Sequence, residues 1–162
     1  MKTEWFEMIE RNIESQKSLI YKKDIKFYQI DKLLKFASKV ENLSKKCKDC
    51  YQMKSEIEYI SSNIENLLTK SMKSKKEYES RFDNIANHLK NEHKIYSSTY
   101  FSSLYSMYGT VAGLTMGFLF GYLFFKENLY AAVLIFWAIG IIVGRFFGIR
   151  EDKLIKRENR NI

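Results

Sequence analysis

Residues 109–148 read GTVAGLTMGFLFGYLFFKENLYAAVLIFWAIGIIVGRFFG, and this stretch decides the fold. It holds all seven glycines of the chain, four residues apart in two rows: Gly109, Gly113, Gly117 and Gly121, then Gly140, Gly144 and Gly148. A glycine inside a soluble helix costs about 1 kcal/mol relative to alanine, so regular rows need a structural reason. In a bilayer, small residues four apart let two helices approach closely. The rows therefore predict two membrane helices with glycine-zipper packing faces.

The lengths of the apolar runs agree with this interpretation. No charged residue occurs between Lys94 and Lys126, and the second run, from Leu129, meets its first charge at Arg145. A helix needs about 20 apolar residues to cross about 30 Å of hydrocarbon. We therefore predict a transmembrane hairpin over residues 96–149, with crossings at 104–125 and 129–149 and a turn at 126–128.

The distribution of basic residues predicts the orientation of the hairpin. The chain carries a net charge of +8, and the tail at 150–162 is basic, whereas the turn contains one lysine and one glutamate. By the positive-inside rule, both termini lie in the cytoplasm, and we expect the bacterial inner membrane. Arg145 falls near the cytoplasmic interface, where its side chain can reach water. No cleavable signal peptide is expected, because charged residues within 1–12 leave no continuous apolar stretch of the kind a signal peptide needs.

Residues 1–95 are predicted to form a cytoplasmic helical domain. Thr3 suits a helix N-cap, with Glu4 and Glu7 in the first turn. Apolar residues then recur from Ile30 to Leu67, and from Val40 onward they do so at steps of three and four, as in a coiled coil or a long bundle helix. The fold class is therefore all-α, and the sequence leaves open whether this part is a compact bundle or an extended stalk.

The end of this domain offers two further predictions. Residues 69–76, TKSMKSKK, lose the apolar stripe, and we expect a turn there. A third stripe starts at Tyr78, and no glycine or proline separates it from the first crossing. We therefore expect the third helix to continue into the membrane. A movement of the cytoplasmic domain would then be transmitted directly to the hairpin.

The two cysteines and two histidines of the chain are Cys47, Cys50, His88 and His93. Two Cys and two His can form a tetrahedral zinc site, and a Cys-x-x-Cys pair can be a redox dithiol. The two pairs are much farther apart in the chain than in a compact zinc finger, and both cysteines fit the apolar stripe. The favoured interpretation is that the cysteines are small core residues, with no metal and no cofactor.

Other candidate sites are basic. Four lysines lie together in the polar break, where they form a candidate patch for an anionic nucleotide, nucleic acid or lipid ligand: Lys70, Lys73, Lys75 and Lys76. Arg145 is the candidate pore mouth if the hairpin assembles into a channel. No catalytic constellation and no glycine-rich phosphate loop occurs outside the membrane segment, so an enzyme is not expected.

A basic helical domain followed by a two-helix hairpin with glycine rows resembles the small two-transmembrane effectors of prokaryotic anti-phage defence systems. The resemblance implies a homo-oligomer in the membrane that acts as a channel or disrupts the bilayer under control of the cytoplasmic helices. The alternative is a membrane-anchored coiled-coil scaffold, in which the stripe from Ile30 to Leu67 recruits a protein partner. The expected partners are therefore the lipid bilayer, further copies of the chain, and a ligand or protein bound by the cytoplasmic helices.

Overall fold

The computed structural model describes residues 3–162, and within them every regular element is helical. This confirms the all-α prediction of a helical domain followed by an apolar helix pair. The chain forms two compact units, of which the first comprises the residues up to Lys94 together with Ile162, and the second comprises Ile95–Asn161. The helices are α1 (Glu4–Lys17), α2 (Lys22–Phe27), α3 (Ile30–Leu43), α4 (Lys48–Ser62), α5 (Ile64–Thr69), α6 (Met72–His93), α7 (Tyr100–Phe124) and α8 (Leu129–Arg157).

The first unit, α1 to α6, is a compact bundle and not a stalk. Its core consists of apolar residues from the stripe that the sequence shows between Ile30 and Leu67, together with residues of α1 and α6. Ile57, Ile60 and Ile64 are fully buried, because the stripe packs against other helices of its own chain. The choice between bundle and stalk is thus decided in favour of the bundle.

Helix α1 begins where the sequence predicts. The Thr3 hydroxyl accepts a hydrogen bond from the Phe6 N–H at 3.4 Å, and Glu4 and Glu7 occupy the first turn. Both features satisfy or complement the free N–H groups at a helix start. The predicted N-cap is confirmed.

The polar stretch at 69–76 contains the predicted turn. Helix α5 ends at Thr69, and α6 begins at Met72 behind a reciprocal cap formed by Ser71 and Ser74. The Ser71 hydroxyl accepts from the Ser74 N–H at 3.1 Å, and the Ser74 hydroxyl accepts from the Ser71 N–H at 3.0 Å. Serine side chains compete well for backbone hydrogen bonds, which is why a helix can end and restart here without glycine or proline.

The prediction that α6 continues into the first crossing is wrong. The helix ends at His93, and Lys94 adopts a left-handed conformation (φ 53°) while its N–H bonds to the Leu89 carbonyl. A left-handed residue at this position commonly ends a helix and is usually glycine, so a lysine here carries no sequence signal for the end of the helix. Helix α7 starts at Tyr100, so no continuous helix links the two units.

The second unit is built on the antiparallel pair α7 and α8, joined by a short 3₁₀ turn at Lys126–Asn128. The turn lies where the sequence predicts it. Helix α8 does not stop at residue 149 but continues to Arg157, so much of the predicted tail at 150–162 is helical.

Candidate functional site

The glycines of the hairpin form the contact between α7 and α8. A Cβ atom added at Gly113 would lie 2.5 Å from the carbonyl oxygen of Phe136, and one at Gly117 would lie 2.8 Å from the Cα atom of Val133. The same crowding by the opposite helix is found at every glycine of the two rows: Gly109, Gly113, Gly117, Gly121, Gly140, Gly144 and Gly148. Each row therefore packs against the opposite helix of the same chain, which leaves neither row free for a second copy.

The outer surface of the hairpin is apolar and exposed. Both α7 and α8 are long and apolar enough to cross a membrane, with mean hydropathies of 1.3 and 2.2. Only 17% of the apolar stretch of each helix is buried. Large side chains such as Phe118, Phe124 and Ile142 are 58–68% exposed. These are two candidate membrane-spanning helices whose apolar side chains point away from the contact between them.

The two threonines of α7 donate their hydroxyl hydrogen bonds within the helix. The Thr110 hydroxyl donates to the Ser106 carbonyl at 2.9 Å, and the Thr115 hydroxyl donates to the Val111 carbonyl at 2.8 Å. A hydroxyl bonded in this way can face hydrocarbon without an unpaired polar group. Neither threonine therefore requires a water-filled pore.

At the open end of the hairpin, Asp152 of α8 caps α7. Its two carboxylate oxygens accept hydrogen bonds from the Phe101 and Ser102 N–H groups, each at 2.9 Å. An acidic group at a helix N-terminus satisfies free N–H groups and complements the helix dipole. This contact could not be predicted from the sequence, because Asp152 and its partners are about fifty residues apart.

The predicted pore-mouth residue, Arg145, lies on α8 beside the buried Gly144, with its own side chain exposed on the outside of the hairpin. The lysines of the predicted anionic-ligand patch lie around the start of α6, where Lys70, Lys73 and Lys76 are exposed and Lys75 is half-buried. The role of this patch stays a prediction.

The first unit brings both cysteines and both histidines together. Cys47 and Cys50 lie at the start of α4, and His88 and His93 lie in the last part of α6. Their potential ligand atoms all fall within 4.8 Å of one another. The long separation of the two pairs along the chain therefore does not prevent a shared site, because α4 and α6 meet in the bundle.

The contacts in this Cys-His cluster are specific. The His88 Nε2 atom lies 3.5 Å from the Cys47 Sγ and 3.3 Å from the Cys50 Sγ, and the His93 Nε2 lies 3.2 Å from the Cys50 Sγ. Cys47 is also the N-cap of α4, since its sulfur accepts from the Cys50 N–H at 3.4 Å. Both cysteines are free thiols, Cys50 being fully buried and Cys47 partly exposed.

The surroundings of the cluster favour neutral side chains. Burial, followed by the hydrogen bond with Cys47, raises the pKa of the Cys50 thiol to about 12. Burial and the neighbouring His88 lower the pKa of His93 below its ordinary value. At neutral pH His93 is therefore an uncharged imidazole, the form that binds metal ions.

Comparisons of the chain with protein-family models, with curated proteins and with solved structures find no match.

Proposed function

We propose that the chain is an integral membrane protein in which α7 and α8 cross the bilayer as a closed hairpin that anchors the helical domain. The observation that carries this proposal is the exposed apolar surface of the two helices. A core helix of a soluble protein is mostly buried, whereas the apolar stretches of α7 and α8 are only 17% buried. Soluble monomers rarely expose large continuous apolar patches, so lipid is the natural cover for this surface.

The internal geometry of the hairpin suits an anchor. Its backbones are held together by glycine contacts, as expected in lipid, where close packing replaces the hydrophobic effect as the force between helices. Thr110 and Thr115 satisfy their own hydroxyls. Neither the contact between the two helices nor these two hydroxyls therefore needs a second copy or a water-filled lumen.

The orientation follows from charge. The basic residues at the end of α8 and beyond, Arg150, Lys153, Lys156, Arg157 and Arg160, lie on the side of the hairpin opposite to the turn at Lys126–Asn128. The positive-inside rule places this side, and both termini, in the cytoplasm. We propose a bacterial inner membrane as the location.

The alternative function is the homo-oligomeric channel or membrane-disrupting effector expected from the resemblance to anti-phage effectors. One observation favours it: the Arg145 side chain is exposed on an otherwise apolar surface of α8, where a second copy or a pore mouth would give it polar surroundings. Because the opposite helix of the same chain already covers both glycine rows, such an assembly must use the outer faces of the hairpin. A regulator bound at the Lys70–Lys76 patch belongs to this alternative.

A vesicle experiment distinguishes an anchor from a channel. We expect full-length protein, reconstituted into vesicles filled with a fluorescent dye, to cause no more leakage than protein-free vesicles. Leakage that is lost in Arg145→Gln but kept in the neighbouring outer-face variant Phe146→Leu would contradict the anchor and support the channel. The oligomeric mass measured on the same detergent preparation tells whether copies associate before reconstitution.

A further inference from the structure

We propose that Cys47, Cys50, His88 and His93 bind one Zn²⁺ ion that fastens the start of α4 to the end of α6. The proposal does not depend on the membrane role of the hairpin, because all four residues belong to the first unit. It rests on three features of the Cys-His cluster: its dimensions, its ligand set and its position in the bundle.

The dimensions fit a tetrahedral zinc site. With bonds of about 2.3 Å to sulfur and about 2.0–2.1 Å to nitrogen, the edge between a sulfur and a nitrogen ligand of a tetrahedron is about 3.5 Å. Three of the four sulfur–nitrogen distances of the cluster are 3.2, 3.3 and 3.5 Å. Three edges of the tetrahedron are thus already near their expected lengths, and the other separations among the four ligand atoms do not exceed 4.8 Å.

The ligand set is that of a closed, structural site. Two cysteines and two histidines fill all four positions of a tetrahedron, and sulfur with imidazole nitrogen selects zinc among the common divalent ions. The spacing within each pair, Cys-x2-Cys and His-x4-His, lies within the range of known structural sites. Binding of Zn²⁺ releases one proton from each thiol, and the resulting two thiolates balance the charge of the ion.

The position of the cluster gives the ion a structural task. Cys47 and Cys50 define the first turn of α4, and His93 is the last residue of α6, directly before the left-handed Lys94. The bound ion would hold the first turn of one helix against the last turn of the other. It would thereby fix the point at which the helical domain ends and the chain leads into the apolar hairpin.

The decisive experiment is elemental analysis of the full-length protein, purified in detergent without a polyhistidine tag or chelator. We expect about one zinc per chain, and we expect Co²⁺ added to metal-free protein to give the visible absorption of a tetrahedral site with thiolate ligands. His93→Gln should weaken zinc binding by more than the roughly 10–100-fold that loss of an outer hydrogen-bonding partner costs. His93 is only partly buried, so this variant tests the ligand with little change to the core.

The matched control is Asn91→Ala, an exposed change on the same helical turn, which should keep the full zinc content. A zinc content near zero together with no cobalt spectrum overturns the proposal. Zinc that is retained in His93→Gln also overturns it, as does a Cys47–Cys50 disulfide in the freshly purified chain, which would instead support a redox dithiol.

Discussion

Replacing Ile57 with lysine is expected to unfold the helical domain. Ile57 is fully buried at the centre of α4, so the variant loses about 2–3 kcal/mol of apolar burial and must also place an unpaired charge in the core, at a cost of several kcal/mol. The total stability of a domain is about 5–15 kcal/mol. Limited trypsin digestion of the full-length protein in detergent should show rapid cleavage throughout the first unit.

The control for this change is Tyr51→Lys on the same helix. Tyr51 is 69% exposed, so the new charge lies in water and the expected change in stability is within about 0.5 kcal/mol. If Ile57→Lys resists trypsin as well as Tyr51→Lys does, the stripe is not buried within the chain. That result would restore the scaffold hypothesis, in which Ile57 and Ile64 lie on a surface that binds a protein partner.

Replacing Gly113 with leucine is expected to open the hairpin. The new Cβ atom would lie 2.5 Å from the Phe136 carbonyl oxygen and 3.0 Å from the Trp137 Cα atom. Both are backbone atoms, which cannot move aside as a flexible side chain would, so α7 and α8 must separate. We expect a loss of about 3 kcal/mol or more, at or above the upper end of the usual cost of overpacking.

Thr115→Leu provides the matched control, since it introduces the same side chain on the exposed face of α7. It removes only a hydrogen bond within the helix. Heating both variants in the same detergent, followed by size-exclusion chromatography, should show early aggregation of Gly113→Leu alone. Equal resistance of the two variants to heat would mean that the glycine rows do not form the contact between α7 and α8.

The features that the sequence predicts well are those governed by neighbours in the chain. The Thr3 cap, the turn around Ser71 and the polar turn at Lys126–Asn128 all depend on residues within a few positions of one another. The glycine rows could be recognised for a related reason, because residues spaced four apart lie on one face of a helix. The sequence does not show which surface covers that face. In the structure, the other helix of the same chain covers it.

The features that the sequence missed depend on contacts between distant segments or on unusual backbone conformations. The Cys-His cluster exists only because α4 packs beside α6. The sequence shows the spacings Cys-x2-Cys and His-x4-His, but it does not show that the two pairs meet in the folded bundle. The end of α6 depends on a lysine in the left-handed region, a conformation that L-residues adopt rarely. The cap by Asp152 likewise requires the hairpin to be closed.

The most direct test of the central claim is extraction of membranes from cells that express the full-length chain, using alkaline sodium carbonate. Alkaline carbonate releases proteins held to membranes by polar contacts, whereas a protein that spans the bilayer stays with the lipid. We expect the chain to remain in the membrane pellet and to enter the supernatant only with detergent. Recovery of the folded chain in the carbonate supernatant would contradict the account, because α7 and α8 would then not cross the bilayer.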